Sequence, residues 1–250
     1  MGWWSVAAGA YAAALIAMAP ATLADAALQG ASDGRLRLAD AEGTLWSGGG
    51  QIEIRDAGGR IGTAKRLAWR LRPAALLRAR LAYEITLESG PRPFPFALSW
   101  SRIEFANADI SLPAAALGLG VPRLAPLGLT GDMQIHITSL SVARDGMEGS
   151  GTLQWRGAGS VLTPISPLGD YEVRFNAAGP AVRAALSTLE GPLQLEGNGS
   201  WSNGAPPSFL AVARVPAQYR EQLSPLLRLI GVERSAGSFE FSSNMPALRP

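Results

Sequence analysis

Cysteine is absent from this chain, and lysine and histidine occur once each, as Lys65 and His136. Without cysteine there is no disulfide framework, no thiolate nucleophile and no cysteine-based zinc site. A single imidazole excludes any mechanism or metal site that needs two. Charge is scarce too, at 17% of the 250 residues, against 47% apolar content. That apolar content suffices for one or two packed units. What the chain has in quantity is glycine and proline, 29 and 18 residues. A helical bundle rarely tolerates so many breakers, whereas a sheet protein with many turns requires them.

The longest uncharged stretch runs from Gly2 to Ala24. As one helix it would reach about 35 Å at ~1.5 Å per residue, enough to cross a hydrocarbon core of roughly 30 Å. Trp3, Trp4 and Tyr11 suit a membrane setting. Ala19-Pro20-Ala21 also has the small-x-small form of a cleavage site, so the segment reads as a transmembrane anchor or a signal sequence. Either reading exports the rest of the chain.

Beyond residue 30 the dominant signal is period two. Leu67, Trp69 and Leu71 alternate with Arg66, Arg70 and Arg72, and Leu81, Tyr83, Ile85 and Leu87 alternate with polar neighbours. Met133, Ile135 and Ile137 alternate with Gln134, His136 and Thr138. Such alternation predicts antiparallel strands with one face buried and one wet. Pro73 and Leu112 each open a short helical turn, and residues 217–231 form the best soluble helix, interrupted by Pro225 and ended by Gly231. Residues 179–191 are ambiguous between helix and strand, with the balance towards strand. The proline-bearing segment 112–128 reads as a joint between two halves. Gly48 to Gly50 interrupt a strand pattern that resumes at Gln51, which predicts a bulge or sharp bend there.

No phosphate loop leads to Lys65, and neither a dinucleotide fingerprint nor a nucleophile elbow is present. His136 sits on the wet side of its strand, where a solvated histidine is the ordinary reading. Glu84 and Glu88 form a surface ladder, Asp170 reads as a turn residue before a strand, and Asn198-Gly199-Ser200 as a hairpin turn. These residues carry no catalytic, cofactor or metal assignment. The uneven feature is the segment Lys65, Arg66, Arg70, Arg72, Arg78 and Arg80, which contains no acidic residue. It is either the charged wet face of a sheet or a contact surface for anionic headgroups or an acidic partner. In the second case Arg66, Arg70 and Arg72 stand beside Arg78 and Arg80 as cross-strand neighbours. An exported chain makes nucleic acid an improbable partner.

The stretch AEGTLWSGGGQIEI (41–54), followed by LAWRLRPAALLRARLAYEI (67–85), resembles the opening of the periplasmic region of type II secretion system protein N. Further similar segments follow in order, among them LGLTGDMQIHI, GTLQWRGAGSVLTPISPLGDYEV, GPLQLEGNGSW and LLRLIGVERSAGSFEF. The resemblance identifies Gly43, Leu45, Trp46, Gly48, Trp69 and Pro73 as fold determinants, with the two tryptophans burying their rings. It implies an accessory structural subunit, not an enzyme, with no cofactor. That subunit is a single-pass inner-membrane protein with its C-terminal domain in the periplasm, meeting the secretin, inner-membrane platform proteins and the membrane itself.

The resulting expectation is a mostly β protein: curved, half-barrel-like antiparallel sheet with a few short helices and one N-terminal transmembrane helix. Residues 1–24 form the anchor or signal sequence, and 25–250 a β-rich domain with two similar halves. An apolar concave face that holds lipid is the alternative function.

Overall fold

A computed structural model describes residues 2–55, 61–88, 90–120, 122–202 and 208–242. Helix α1 spans Gly2–Ala17 and α2 spans Thr22–Ala31. Strands β1 to β5 follow as Leu36–Gly43, Ser47–Arg55, Ile61–Leu71, Leu81–Leu87 and Phe94–Leu98. The second group comprises β6 (Arg102–Pro113), α3 (Ala116–Gly120), β7 (Leu129–Ala143), β8 (Gly146–Ser160), β9 (Gly169–Gly179), β10 (Ala181–Glu190), β11 (Gln194–Ser202) and β12 (Ser208–Arg214). It closes with α4 (Arg220–Ile230), β13 (Val232–Ser235) and β14 (Ser238–Ser242). The chain divides into two compact units between Ala97 and Leu98, so the segment 112–128 lies inside the second unit.

The single helix expected over residues 2–24 is two helices. Among the described residues no helix is long and apolar enough to cross a membrane. Proline explains the break: Pro20 has no N–H to donate and disfavours helix at Ala19. The freed backbone groups pair instead with the loop after β1, where Leu45 N–H donates to Ala19 O at 2.8 Å and Ala21 N–H to Gly43 O at 3.2 Å.

In the first unit the strands lie in the order β1-β2-β3-β4-β5. One face gathers Leu38, Trp69 and Tyr83 around Ala21, with Ala24 and Leu28 of α2, Ile85 and Phe96 packed against them. Helix α2 therefore covers this face rather than continuing an anchor. Burying one such side chain stabilises the unit by about 1.5–3 kcal/mol. Asp25 fixes the helix in place: Leu38 N–H donates to its Oδ1 at 2.8 Å and the Gln29 amide to its Oδ2 at 2.7 Å.

Gly48 to Gly50 neither bulge nor bend. They are regular β2 residues opposite Trp69, Ala68 and Leu67 of β3, and the irregularity lies across on β1 between Ala39 and Glu42. Asp40, at φ 50°, is the residue that absorbs it. The missing side chains serve close approach instead. A Cβ on Gly48 would stand 2.7 Å from Trp69 Cζ2.

In the second unit the order is β6-β7-β8-β9-β10-β11-β12-β14-β13, and the sheet is not closed. All its described pairings from β6 onward are antiparallel. Every strand but the last two follows its predecessor. β14 slips in beside β12, and α4 fills the connection. Pro225 does not interrupt α4. Leu223, Leu226 and Leu227 are buried against Leu168, Leu193, Ala213 and Phe239, and this packing holds the helix despite the lost hydrogen bond. The ambiguous segment 179–191 contains strand β10, Ala181–Glu190.

Register assigns each sheet face. On one face Ile110, Ile135, Leu153, Val173 and Leu186 form a continuous row across β6 to β10. The adjacent row on the other face reads Ser111, Gln134, Gln154, Glu172 and Ser187. The period-two pattern of the sequence is thus one apolar and one polar face.

Candidate functional site

The loop joining β1 to β2, Gly43 to Ser47, is where the most specific geometry gathers. Gly43 turns the chain at φ 86°, and Thr44 Oγ1 accepts from the N–H groups of Trp46 at 3.3 Å and Ser47 at 3.2 Å. This loop holds the chain between α1 and α2. Pro20 bridges Thr44, Leu45 N–H reaches Ala19 O, and the Trp46 indole N–H donates to Ile16 O at 2.8 Å. Beneath it the Trp69 indole N–H lies 3.1 Å from Thr44 O and 3.2 Å from Leu45 O. Trp69 is buried at 8% exposure. Trp46 keeps its ring half-buried and spends its polar end on α1. The loop is a socket for the end of α1, made of backbone groups and two indoles.

The second unit repeats the indole device. Trp155 donates to Thr130 O at 2.9 Å and packs against Tyr171 with ring centroids 6.0 Å apart.

The basic segment is less unified than its sequence. Arg66, Arg70 and Arg72 are exposed on one side of the sheet, while Lys65 shares the parity of Leu67 and Trp69 and stands on the other. Arg78 and Arg80 do not face the first three across the strands. The turn after Pro73 winds into a 3-10 helix, Pro73–Arg78, which delays β4 until Leu81. The register then sets Glu84 opposite Arg70, and Arg72 lies 3.4 Å from Glu84. Arg66 joins Asp40, Glu42, Gln51 and Glu88 around a surface groove of about 870 Å³. Its cross-strand neighbour on β2 is Gln51, and on the other side the Glu88 N–H donates to Arg66 O at 3.0 Å, so carboxylates as well as an amide surround that part of the arginine surface.

Two residues outside the expected set matter. Asp25 is the first charge after the apolar run and holds α2 to β1, with Arg37 Nε 3.8 Å from its carboxylate. Burial pushes its carboxyl up. The Leu38 N–H, the Gln29 amide and the charges of Arg37 and Arg55 outweigh this and hold it below the usual carboxylate value. Leu77, in the 3-10 turn, is 91% exposed. Sequence alone gave Leu77 no signal beyond its place between a proline and an arginine.

His136 lies on the polar face of β7, its Nδ1 2.6 Å from Asp109 Oδ1 on β6, with both side chains close to half exposed. Among the described residues no group of three or more His, Asp or Glu side chains is arranged to hold a metal ion.

A family model described as type II secretion system (T2SS), protein N, matches residues 34–242. The chain belongs to the type II secretion system protein N family. It is 27% identical over 166 residues to the type II secretion system protein N of Pectobacterium carotovorum subsp. carotovorum, covering 65% of this chain and 64% of that relative. The shared part is thus just under two thirds of the relative's length. No solved structure matches the chain. The family match opens immediately before β1 and takes in both the socket loop and the arginine segment, while α1 and α2 lie ahead of it.

Proposed function

We propose that this protein is an accessory structural subunit of the type II secretion system, held at the inner membrane by α1 with its β units in the periplasm. Family membership supports the system, and one observation supports the tether. Every α1 residue whose side chain is described is exposed, Trp3 at 88% and Met18 just beyond it at 75%, although the helix carries no charge. An uncharged helix with apolar side chains on all sides is stable in lipid rather than in water. At 16 residues it is about 24 Å long, so a bilayer of ordinary thickness thins around it or takes it in at one interface.

The socket supports retention. Cleavage after Ala21 would remove the acceptors Ile16 O and Ala19 O and the buried Ala21 itself. In this reading the β units present surfaces to the secretin or the inner-membrane platform. The test is a deletion strain complemented by this chain. Export substrates accumulate in the periplasm without it, and the chain sediments with inner membranes through an alkaline carbonate wash. Normal export by the deletion strain would overturn the reading.

The half-buried apolar row Ile110, Ile135, Leu153, Val173 and Leu186 favours a second reading, an acyl chain lying along that sheet face. Mass spectrometry of lipid co-purifying with the protein tests it. Protein free of stoichiometric lipid after gentle extraction would exclude it.

A further inference from the structure

The turn between β3 and β4 exposes two leucines that its own unit does not bury. Its sequence, Arg72-Pro-Ala-Ala-Leu-Leu-Arg-Ala-Arg80, holds three arginines and no carboxylate. Leu76 is 46% and Leu77 91% exposed, so neither leucine serves the core of its own unit. The turn is nonetheless firmly built. Ala75 N–H donates to Arg72 O, Ala79 N–H to Leu76 O and Arg80 N–H to Ala75 O, while Ala79 at φ 53° closes the helix. A turn that satisfies its own backbone can enter a region poor in water.

Its position supplies the occupant. The β1–β2 and β3–β4 connections lie at the same end of the sheet, and Trp46 joins them. Its indole N–H donates to Ile16 O at the end of α1, and its carbonyl accepts from Leu71 N–H at 2.6 Å, one residue before the turn begins. The apolar helix and the exposed leucines thus emerge at one edge of the first unit. Arginines beside projecting apolar side chains are the chemistry of an anionic membrane surface, which takes leucine among the acyl chains and guanidinium against phosphate.

We propose that the Arg72–Arg80 turn is a second membrane contact, in which Leu76 and Leu77 enter the interface of an anionic phospholipid bilayer and Arg78 and Arg80 meet its headgroups. The contact gives the first unit a second point of attachment to the bilayer beside α1. The proposal rests on the reading of α1 as the membrane-held segment.

The absence of native cysteine makes the test direct. Leu77→Cys, Leu15→Cys and Thr86→Cys are each labelled with a polarity-sensitive fluorophore in the full chain. The chain is reconstituted into vesicles of phosphatidylcholine, with and without phosphatidylglycerol. The label at 15 reports an apolar setting in both vesicles. The label at 77 reports one only when phosphatidylglycerol is present, and the label at 86, on a polar sheet face, stays aqueous. Adding Arg78→Ser and Arg80→Ser weakens the response at 77 roughly fivefold per arginine while leaving the label at 15 unchanged.

An aqueous label at 77 in both vesicles, with the label at 15 in lipid, overturns the surface contact and leaves the anchor standing. That result would also assign the turn to an acidic protein partner if the double arginine variant loses export. An aqueous label at 15 with an apolar one at 77 overturns the anchor and keeps the contact.

Discussion

Replacing Gly48 with alanine tests whether the glycine run serves close packing rather than backbone freedom. The added Cβ would meet the Glu42 carbonyl and stand 2.7 Å from Trp69 Cζ2 and 3.1 Å from its Cε2. Neither neighbour moves cheaply. The carbonyl is backbone, and the indole is held by its bonds to Thr44 O and Leu45 O. Overpacking of this kind costs about 1–3 kcal/mol. Displacing the ring forfeits a further ~1 kcal/mol of hydrogen bonding. A loss near 2 kcal/mol lowers the melting temperature of a chain this long by roughly 4–8 °C.

Gly49 is the control, because a Cβ there meets only Leu67 O at 3.4 Å, an ordinary contact. Gly49→Ala is near neutral, since alanine loses less entropy than glycine on folding. Thermal unfolding followed by tryptophan fluorescence separates the two variants. If they melt together, or if Gly49→Ala is the more damaging, the packing argument is wrong.

Asp25 confers a pH dependence whose sign is fixed by its depressed folded value. Its contribution is complete above the unfolded carboxylate value of ~3.9 and disappears as pH falls through the lower folded value. Melting curves of wild type and Asp25→Asn therefore diverge at neutral pH and converge in acid. Leu223, with 0% exposure in the second unit's core, costs about 2–5 kcal/mol on conversion to alanine, read as loss of the denaturation midpoint. Trp46→Phe keeps the ring but loses the bond to Ile16 O, a change of about 0.5–1.5 kcal/mol. Amide exchange at Leu45 and Ala21 speeds up in that variant, while strands β6 to β12 keep their protection.

Much of this architecture is written in alternation. Trp69 and Tyr83 fall on the buried face and Arg66 and Arg70 on the wet one because strand parity is a local property. Three features escape local reading. Helix α2 looks like the tail of an uncharged segment, and only the pairing of Ala19 and Ala21 with the β1–β2 loop shows that it turns back onto the sheet. Which arginine faces which carboxylate depends on how many residues the Pro73 turn consumes, since a shift in register exchanges partners. The glycine run looks like a bend because its partner, the Trp69 ring, lies far away in sequence. Of the socket, the residue types were legible, but their partners on the N-terminal segment were not. A hydrogen bond from an indole to a carbonyl thirty residues earlier leaves no periodic trace.

The central proposal is that the β1–β2 loop holds α1, as a retained membrane helix, to the first unit. Intact mass of the protein extracted from inner membranes tests it most directly. The account requires a chain that still contains Gly2 to Ala21. A mature chain beginning near Thr22, recovered from the soluble periplasmic fraction and competent in export, would contradict it.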